Sequence, residues 1–275
     1  LRRGTLVEIG DAVIVLECED GSLTDVPTPS VSSPPADNLA LQRLVARLAM
    51  GRMPVVILGE TGVGKRRFAE AIHAQSSRAR GPFLQANCSS FSPEGLDVEL
   101  LGHDAGYLGA AVGARRGLLE SAAGGSVLLT EVGDMSLDSQ ARLLRALEFG
   151  VVQRLGGGKS VPLDVRLLVT SHRDLPAMVG RGEFRGDLYH RLCGALVEVP
   201  PLRRRLDDLA PLGSQLLREL SAVMGRRAPA LTAEALDCLR RHSWPGNVRE
   251  LRNTLEVALL MCDGESLEAE HLPTT

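Results

Sequence analysis

The sequence predicts an α/β fold, a parallel sheet flanked by helices, with a small helical domain appended to it. Three observations carry that expectation. An apolar run, Pro54-Val55-Val56-Ile57-Leu58, leads into the glycine-rich stretch Gly59-Glu60-Thr61-Gly62-Val63-Gly64-Lys65 and then into a helix-like run from Arg66 to Gln75. Strand-like and helix-like segments alternate from about residue 37 to residue 201, the pattern of a parallel sheet with helices on both faces. After Pro200-Pro201 the strand signals stop, and 207–224, 232–242 and 247–262 read as three helices.

The glycine-rich stretch has the G-x-x-x-x-G-K spacing of a phosphate-binding loop in its required strand–loop–helix setting. Glycines let successive backbone N–H groups curl around phosphate oxygens, and the helix N-terminus adds a positive partial charge. Lys65 can then reach the outer phosphates. Only two lysines, Lys65 and Lys159, stand among the 31 Lys and Arg residues, and one of them occupies the position the motif requires. The next position calls for Ser or Thr as a magnesium ligand. Arg66 stands there instead, and a guanidinium cannot ligate a metal.

Taken in order, residues 1–20 read as two short strands around Gly10-Asp11. Two strands alone are marginal, so they belong either to the end of a preceding β domain or to an edge of the next one. Residues 21–36, rich in Ser, Pro and Thr, read as a linker. Asp37 can cap a helix carrying Leu39, Leu41, Leu44, Val45 and Leu48. Beyond the phosphate loop, 82–87 reads as a strand and 93–101 as a helix. The Gly- and Ala-rich 102–117 reads as a mobile loop. A buried strand, 126–131, ends in Glu131; a helix follows over 137–149. A hairpin around Gly156-Gly157-Gly158 precedes another apolar strand, 165–171. Ligands in such sheets bind beyond the carboxyl ends of the strands, where the phosphate loop, Glu131 and Ser171-His172 all fall.

Composition sets the bounds. A chain of 275 residues holds one large domain or two medium ones, and a net charge of -3 with 3% aromatic residues gives no bulk electrostatic footprint for nucleic acid. Five cysteines (Cys18, Cys88, Cys193, Cys238, Cys262) lack C-x-x-C spacing and read as buried free thiols in a reducing cytoplasm. No run of 18 apolar residues occurs, so no membrane partner is expected.

From about Asp37 to Pro273 the chain resembles the AAA+ domain of bacterial enhancer-binding proteins, the activators of sigma-54 RNA polymerase. The resemblance rests on GETGVGK at 59–65, PFLQANCSS at 82–90, ELLGH at 99–103 and GGSVLLTEVGDM at 124–135. It continues through QARLLRALEFG at 140–150, VRLLVTSHRDL at 165–175, FRGDLYHRL at 184–192, PPLRRR at 200–205 and WPGNVRELRN at 244–253. It implies a nucleotide-binding α/β domain over 37–201 and a helical lid over 202–275. The first twenty residues are similar to the last strands of a forkhead-associated domain.

The resemblance also implies roles. Gly59, Glu60, Thr61, Gly62, Val63, Gly64, Lys65 and Arg66 would surround the phosphates of ATP or ADP. Glu131 matches the carboxylate that polarises the attacking water, and Asn87 the polar residue that restrains it. Arg185 and Arg191 match arginines offered to a neighbouring subunit's nucleotide, which makes hydrolysis depend on ring assembly. Arg249 matches the lid arginine that senses the γ-phosphate; arginine suits these tasks because it is always charged and forks onto phosphate oxygens.

Departures from the family cluster around chemistry. The expected Asp-Glu pair is Thr130-Glu131, and a neutral hydroxyl is a far weaker magnesium ligand than a carboxylate. The expected Thr-Asn of the sensor is Ser171-His172. Where the family carries Gly-Ala-Phe-Thr-Gly-Ala for sigma-54 contact, equal loop length places Gly106-Tyr107-Leu108-Gly109-Ala110-Ala111. The expectation is a cytoplasmic, ring-forming, divergent member that binds ATP or ADP, holds Mg2+ weakly, and hydrolyses slowly or not at all. Contact with sigma-54 polymerase would run through 106–111. Its alternative is a catalytically impaired nucleotide-binding scaffold or interaction protein that no longer remodels the polymerase. The sequence ends just after His271-Leu272-Pro273, so a complete chain would make no direct DNA contact.

Overall fold

The computed structural model describes residues 5–9, 12–16, 38–158 and 160–273, the first 14 helix and strand positions (5–9, 12–16 and 38–41) by backbone alone. The Gly10-Asp11 turn, the linker at 21–36, the Asp37 cap, Cys18 and Lys159 lie outside these residues. Strands β1 (Thr5–Ile9) and β2 (Ala12–Leu16) pair antiparallel, Thr5 opposite Leu16 and Ile9 opposite Ala12. Helix α1 (Asn38–Met50) follows and buries Leu44, Val45 and Leu48. Next come β3 (Val55–Leu58), α2 (Lys65–Ala74) and β4 (Phe83–Asn87).

Helix α3 (Pro93–Leu101) begins where the Ser92 side chain accepts a hydrogen bond from the Gly95 N–H and proline occupies the first turn, where its missing N–H costs nothing. The stretch read as a mobile loop has structure at its base. There β5 (Gly102–His103) pairs antiparallel with β6 (Arg115–Arg116). A one-turn helix α4 (Leu118–Ser121) leads to β7 (Ser126–Thr130). Helix α5 (Leu137–Phe149) is capped by Ser136 and stopped at Gly150, whose φ of 63° lies in the left-handed region that ends many helices. The hairpin expected around 156–158 is β8 (Val151–Gln153) against β9 (Ser160–Pro162). Then come β10 (Arg166–Ser171), α6 (Leu175–Gly180), α7 (Gly186–Leu192) and β11 (Ala195–Glu198).

The five strands β11-β3-β10-β7-β4 form one parallel sheet in that order. Burial on both faces explains their unbroken apolar character. Val55, Val56, Ile57, Val127, Leu128, Leu129, Leu168 and Val169 are fully buried. One core layer packs α1 and α2 against Val55, Ile57, Leu128 and Leu168; the other packs α3, α5 and α7 against Val56, Val127, Leu129 and Val169. Arg166, at the first position of β10, is buried too. Its guanidinium donates to the carbonyls of Leu48 at 2.6 Å and Ala49 at 3.5 Å, in the last turn of α1 where the helix supplies no N–H of its own, and to that of Met53 beyond the helix at 3.2 Å.

The last third is helical: α8 (Leu209–Val223), α9 (Ala233–Arg241), capped by Thr232, and α10 (Asn247–Met261). These enclose a separate core of Leu216, Leu220, Leu239, Trp244, Leu251 and Leu255. Three expectations need correction. Strands do not end at Pro201, because β12 (Ala230–Leu231) and β13 (Ser266–Leu267) form a short parallel pair beside the helices. The fifth strand β11 was not anticipated, although its side chains alternate buried and half-buried through Glu198 and Val199. The described cysteines are free, but only Cys88 and Cys262 are buried; Cys193 is half-buried and Cys238 exposed, since its position on α9 faces away from the core.

Candidate nucleotide site

The loop that follows β3 turns through Gly59, Gly62 and Gly64, all at positive φ, before Lys65 opens α2. Lys65 is buried to 7% exposure. Its Nζ donates to the Gly59 carbonyl at 2.6 Å and the Glu60 carbonyl at 3.1 Å, and stands 3.7 Å from Glu131 Oε1. Burial pulls its pKa down, and the Glu131 carboxylate pulls back toward the charged form. The ammonium therefore sits across the mouth of a ring of backbone groups at the end of the central strands.

Glu131 follows β7 at φ 56° and ψ 49°, the left-handed region that a non-glycine residue rarely adopts. Parallel pairing of β7 with β10 sets Leu129 against Val169, so the residues just past both strands come side by side. Thr170 Oγ1 accepts from the Glu131 N–H at 3.4 Å. The Glu131 Oε2 accepts from the His172 N–H at 3.1 Å and lies 2.5 Å from His172 Nδ1. Burial raises the carboxyl pKa, but the His172 hydrogen bonds and the Lys65 charge outweigh it and hold the group below the usual range. A carboxylate so stabilised is a weak base.

Not every expected residue joins this cluster. Asn87 lies opposite Thr130 in the sheet, yet its carboxamide is engaged locally. Its Oδ1 accepts from the Ser89 N–H and hydroxyl, and its Nδ2 donates to Ser90. The hydrogen bonds to the Glu131 carboxylate come instead from His172. Ser171 Oγ is turned into a local exchange with the backbone of Arg173. Arg185 is exposed and forks onto Asp187 at 2.7 and 3.1 Å. Arg191 donates to the Leu147 carbonyl near the end of α5 at 2.9 Å.

The helical domain docks directly on the loop. The Val248 N–H donates to the Gly62 carbonyl at 3.0 Å, and a Cβ at Gly62 would overlap the Gly246 carbonyl and stand 3.2 Å from the Arg249 Cβ. Arg249 is exposed at this seam, and its charge helps depress the Lys65 pKa. The fully buried Asn247, at φ 53°, donates to Glu60 Oε2 and to the Thr61 carbonyl, both at 3.1 Å, while its Oδ1 accepts from the Leu202 N–H at 2.8 Å. Arg203 forks onto Glu60 at 2.5 and 2.8 Å, and Arg205 donates to the Val63 carbonyl at 2.7 Å. The Arg203 and Asn247 hydrogen bonds drive the Glu60 pKa down to about 2. Asn247, Arg203 and Arg205 were not singled out as site residues. The only sequence signals were the PPLRRR and WPGN runs, which do not reveal what they touch.

The side chains at the loop and the end of β7 are already engaged with one another or with the backbone. Thr130 Oγ1 makes a long contact to the Ala86 carbonyl, Arg66 pairs with Glu70, and Glu131 is engaged by Lys65 and His172. Among the described residues no group of three His, Cys, Asp or Glu side chains is placed to hold a metal, and no helix is long and apolar enough to cross a membrane.

Residues 106–111 are exposed at the tip of the β5–β6 excursion, with Tyr107 against Gly156 of the β8–β9 hairpin. Arg154 ties the two together through Glu120 at 2.7 Å and Asp104 at 3.5 Å.

Comparison with known proteins matches residues 35–198 to the Sigma-54 interaction domain and residues 203–275 to an AAA+ ATPase lid domain. The chain is 40% identical over 235 residues to nitrogen fixation protein VnfA of Azotobacter vinelandii, covering 86% of this chain and 45% of that protein. It is 43% identical over 255 residues to response regulator protein FleR of Pseudomonas aeruginosa, covering 93% and 53%. The crystal structure of NtrX from Brucella abortus in complex with ADP superposes with a TM-score of 0.77 at 36% identity, covering 85% of this chain and 52% of that one. The chain thus spans about half the length of the curated relatives it matches.

Proposed function

We propose, for a chain that belongs to the Sigma-54 interaction domain family and carries an AAA+ lid, that it is the ATP- or ADP-binding module of a sigma-54-dependent transcription regulator. The observation that carries this reading is the Gly59–Lys65 loop between β3 and α2, with Lys65 at its mouth and Arg249 of the lid against Gly62. NtrX, solved in complex with ADP and with ATP, supports it. Arg185 and Arg191 are offered to a neighbouring subunit's nucleotide in a ring, and residues 106–111 form the surface offered to sigma-54 polymerase. The setting is the cytoplasm, and β1–β2, which lies against β11, is an edge addition to this domain or the end of a preceding forkhead-associated-like one. Calorimetry with ADP tests the reading: the native chain binds, and Lys65→Ala loses most of the heat. Equal behaviour of the two proteins would refute it.

Hydrolysis is slow or absent in this proposal. Glu131 is held in an ion pair and a short hydrogen bond, its pKa is lowered, and Thr130 stands where a metal-orienting aspartate is needed. Steady-state phosphate release across protein concentrations checks this, and turnover of about 1 per second or faster would overturn it. The second reading, a nucleotide-bound scaffold that does not remodel polymerase, is favoured by the missing Phe-Thr in residues 106–111. Hydrolysis that appears only in Thr130→Asp would favour that scaffold.

A further inference from the structure

A phosphate loop ordinarily shares the polyphosphate charge with a magnesium ion held by the hydroxyl after its lysine and by a strand-end aspartate. Here those positions are Arg66 and Thr130, a cation and a neutral hydroxyl, and the remaining carboxylate is engaged by Lys65 and His172. We propose that this loop binds adenine nucleotide without a divalent cation, the Arg66 guanidinium supplying the charge that the metal supplies elsewhere. The inference rests on the nucleotide-binding reading above and specifies how that binding is achieved.

Three features of the site argue for it. Arg66 is the second residue of α2, beside the N-terminal amides that open toward the loop, so its charge adds to theirs. Its Nε is 2.7 Å from Glu70 Oε1, but both side chains are exposed, at 62% and 40%. Such surface pairs are weak, whereas a guanidinium forked onto phosphate oxygens is among the stronger polar contacts, so a polyphosphate displaces Glu70. Finally, Lys65, Arg66 and Arg249 set three cations beside or within one loop, and a dication entering beside Arg66 would meet repulsion with no aspartate at Thr130 to offset it.

The experiment is equilibrium binding of ADP to the whole chain, in excess Mg2+ and in EDTA. The native protein is expected to bind with affinities that agree within about threefold in the two buffers. Arg66→Ser should weaken binding in EDTA by about tenfold, and Arg66→Lys should recover part of it. The double variant Arg66→Ser, Thr130→Asp should regain metal dependence, binding about tenfold tighter with Mg2+ than without. Thermal melts of each variant separate a binding defect from a folding defect. Native binding that Mg2+ tightens tenfold or more, or an Arg66→Ser protein that melts normally and binds unchanged in EDTA, overturns the inference while leaving nucleotide binding intact. No binding in either buffer removes the nucleotide-binding reading and this inference with it.

Discussion

Glu131 and His172 are joined twice: one carboxylate oxygen accepts the His172 N–H at 3.1 Å and meets its ring Nδ1 at 2.5 Å. Two parallel strands ending level with each other bring them together, and the left-handed backbone at Glu131 aims the carboxylate toward both His172 and Lys65. Removing the ring in His172→Ala should let the Glu131 pKa rise, since burial alone acts to raise it. Carboxyl 13C titration of the native protein and the variant reads the change directly. An unchanged midpoint would show that the imidazole contributes nothing to holding the charge.

The Glu60 clamp sets a pH dependence. Its carboxyl titrates at about 2 in the folded chain against an ordinary 4.5, so its stabilising contribution is complete above about pH 4.5 and fades as pH falls toward 2. Glu60→Gln should lower Tm by about 2 °C near neutral pH, a modest shift because Glu60 and Arg203 are both partly exposed to solvent. The gap between native protein and variant should close as the solution is acidified. A Tm difference that persists unchanged at pH 2.5 would place the effect elsewhere.

Two loop glycines should respond differently to a methyl group. Both Gly62 and Gly64 have positive φ, but an added Cβ at Gly64 meets open space while one at Gly62 overlaps the lid backbone at Gly246. Gly64→Ala should cost about 1–2 kcal/mol of backbone strain alone. Gly62→Ala should cost about 1 kcal/mol more and also undock the lid, exposing the 202–206 segment to limited proteolysis. Equal protease sensitivity of the two variants would argue against docking through this contact.

Arg166→Leu tests the buried guanidinium. The substitution removes the guanidinium from three carbonyls, of which Leu48 keeps the Gly51 N–H as donor, and should destabilise the chain by about 3 kcal/mol in chemical denaturation. A loss below about 1 kcal/mol would mean that water replaces those bonds at little cost.

Much of the fold was legible because the sheet's interior strands are buried on both faces and so must be apolar along their length. Val55–Leu58, Ser126–Thr130 and Arg166–Ser171 could hardly be misread, and α5 matched its expected span from Leu137 to Phe149. The edge strand β11 was harder, since Leu196 and Glu198 face a half-open environment and interrupt the apolar run. That Lys65 and Glu131 meet was legible, because both stand at the carboxyl ends of strands of one parallel sheet. The site was not legible at Asn87, whose amide could serve either the carboxylate or its own following turn, and the local partners Ser89 and Ser90 won.

By itself the sequence determined the strand–loop–helix unit, its glycine loop with a single lysine, and the presence of Arg66 and Thr130 where a hydroxyl and an aspartate were expected. These follow from local rules: alternation, glycine torsions and side-chain chemistry are written within a few neighbouring residues. Only the tertiary structure decided that His172 holds Glu131 and that Asn247, Arg203 and Arg205 fasten the lid to residues 60–63. Those partners lie about 40 to 190 positions apart in the chain, and their pairing depends on strand register and domain docking, which long-range packing sets.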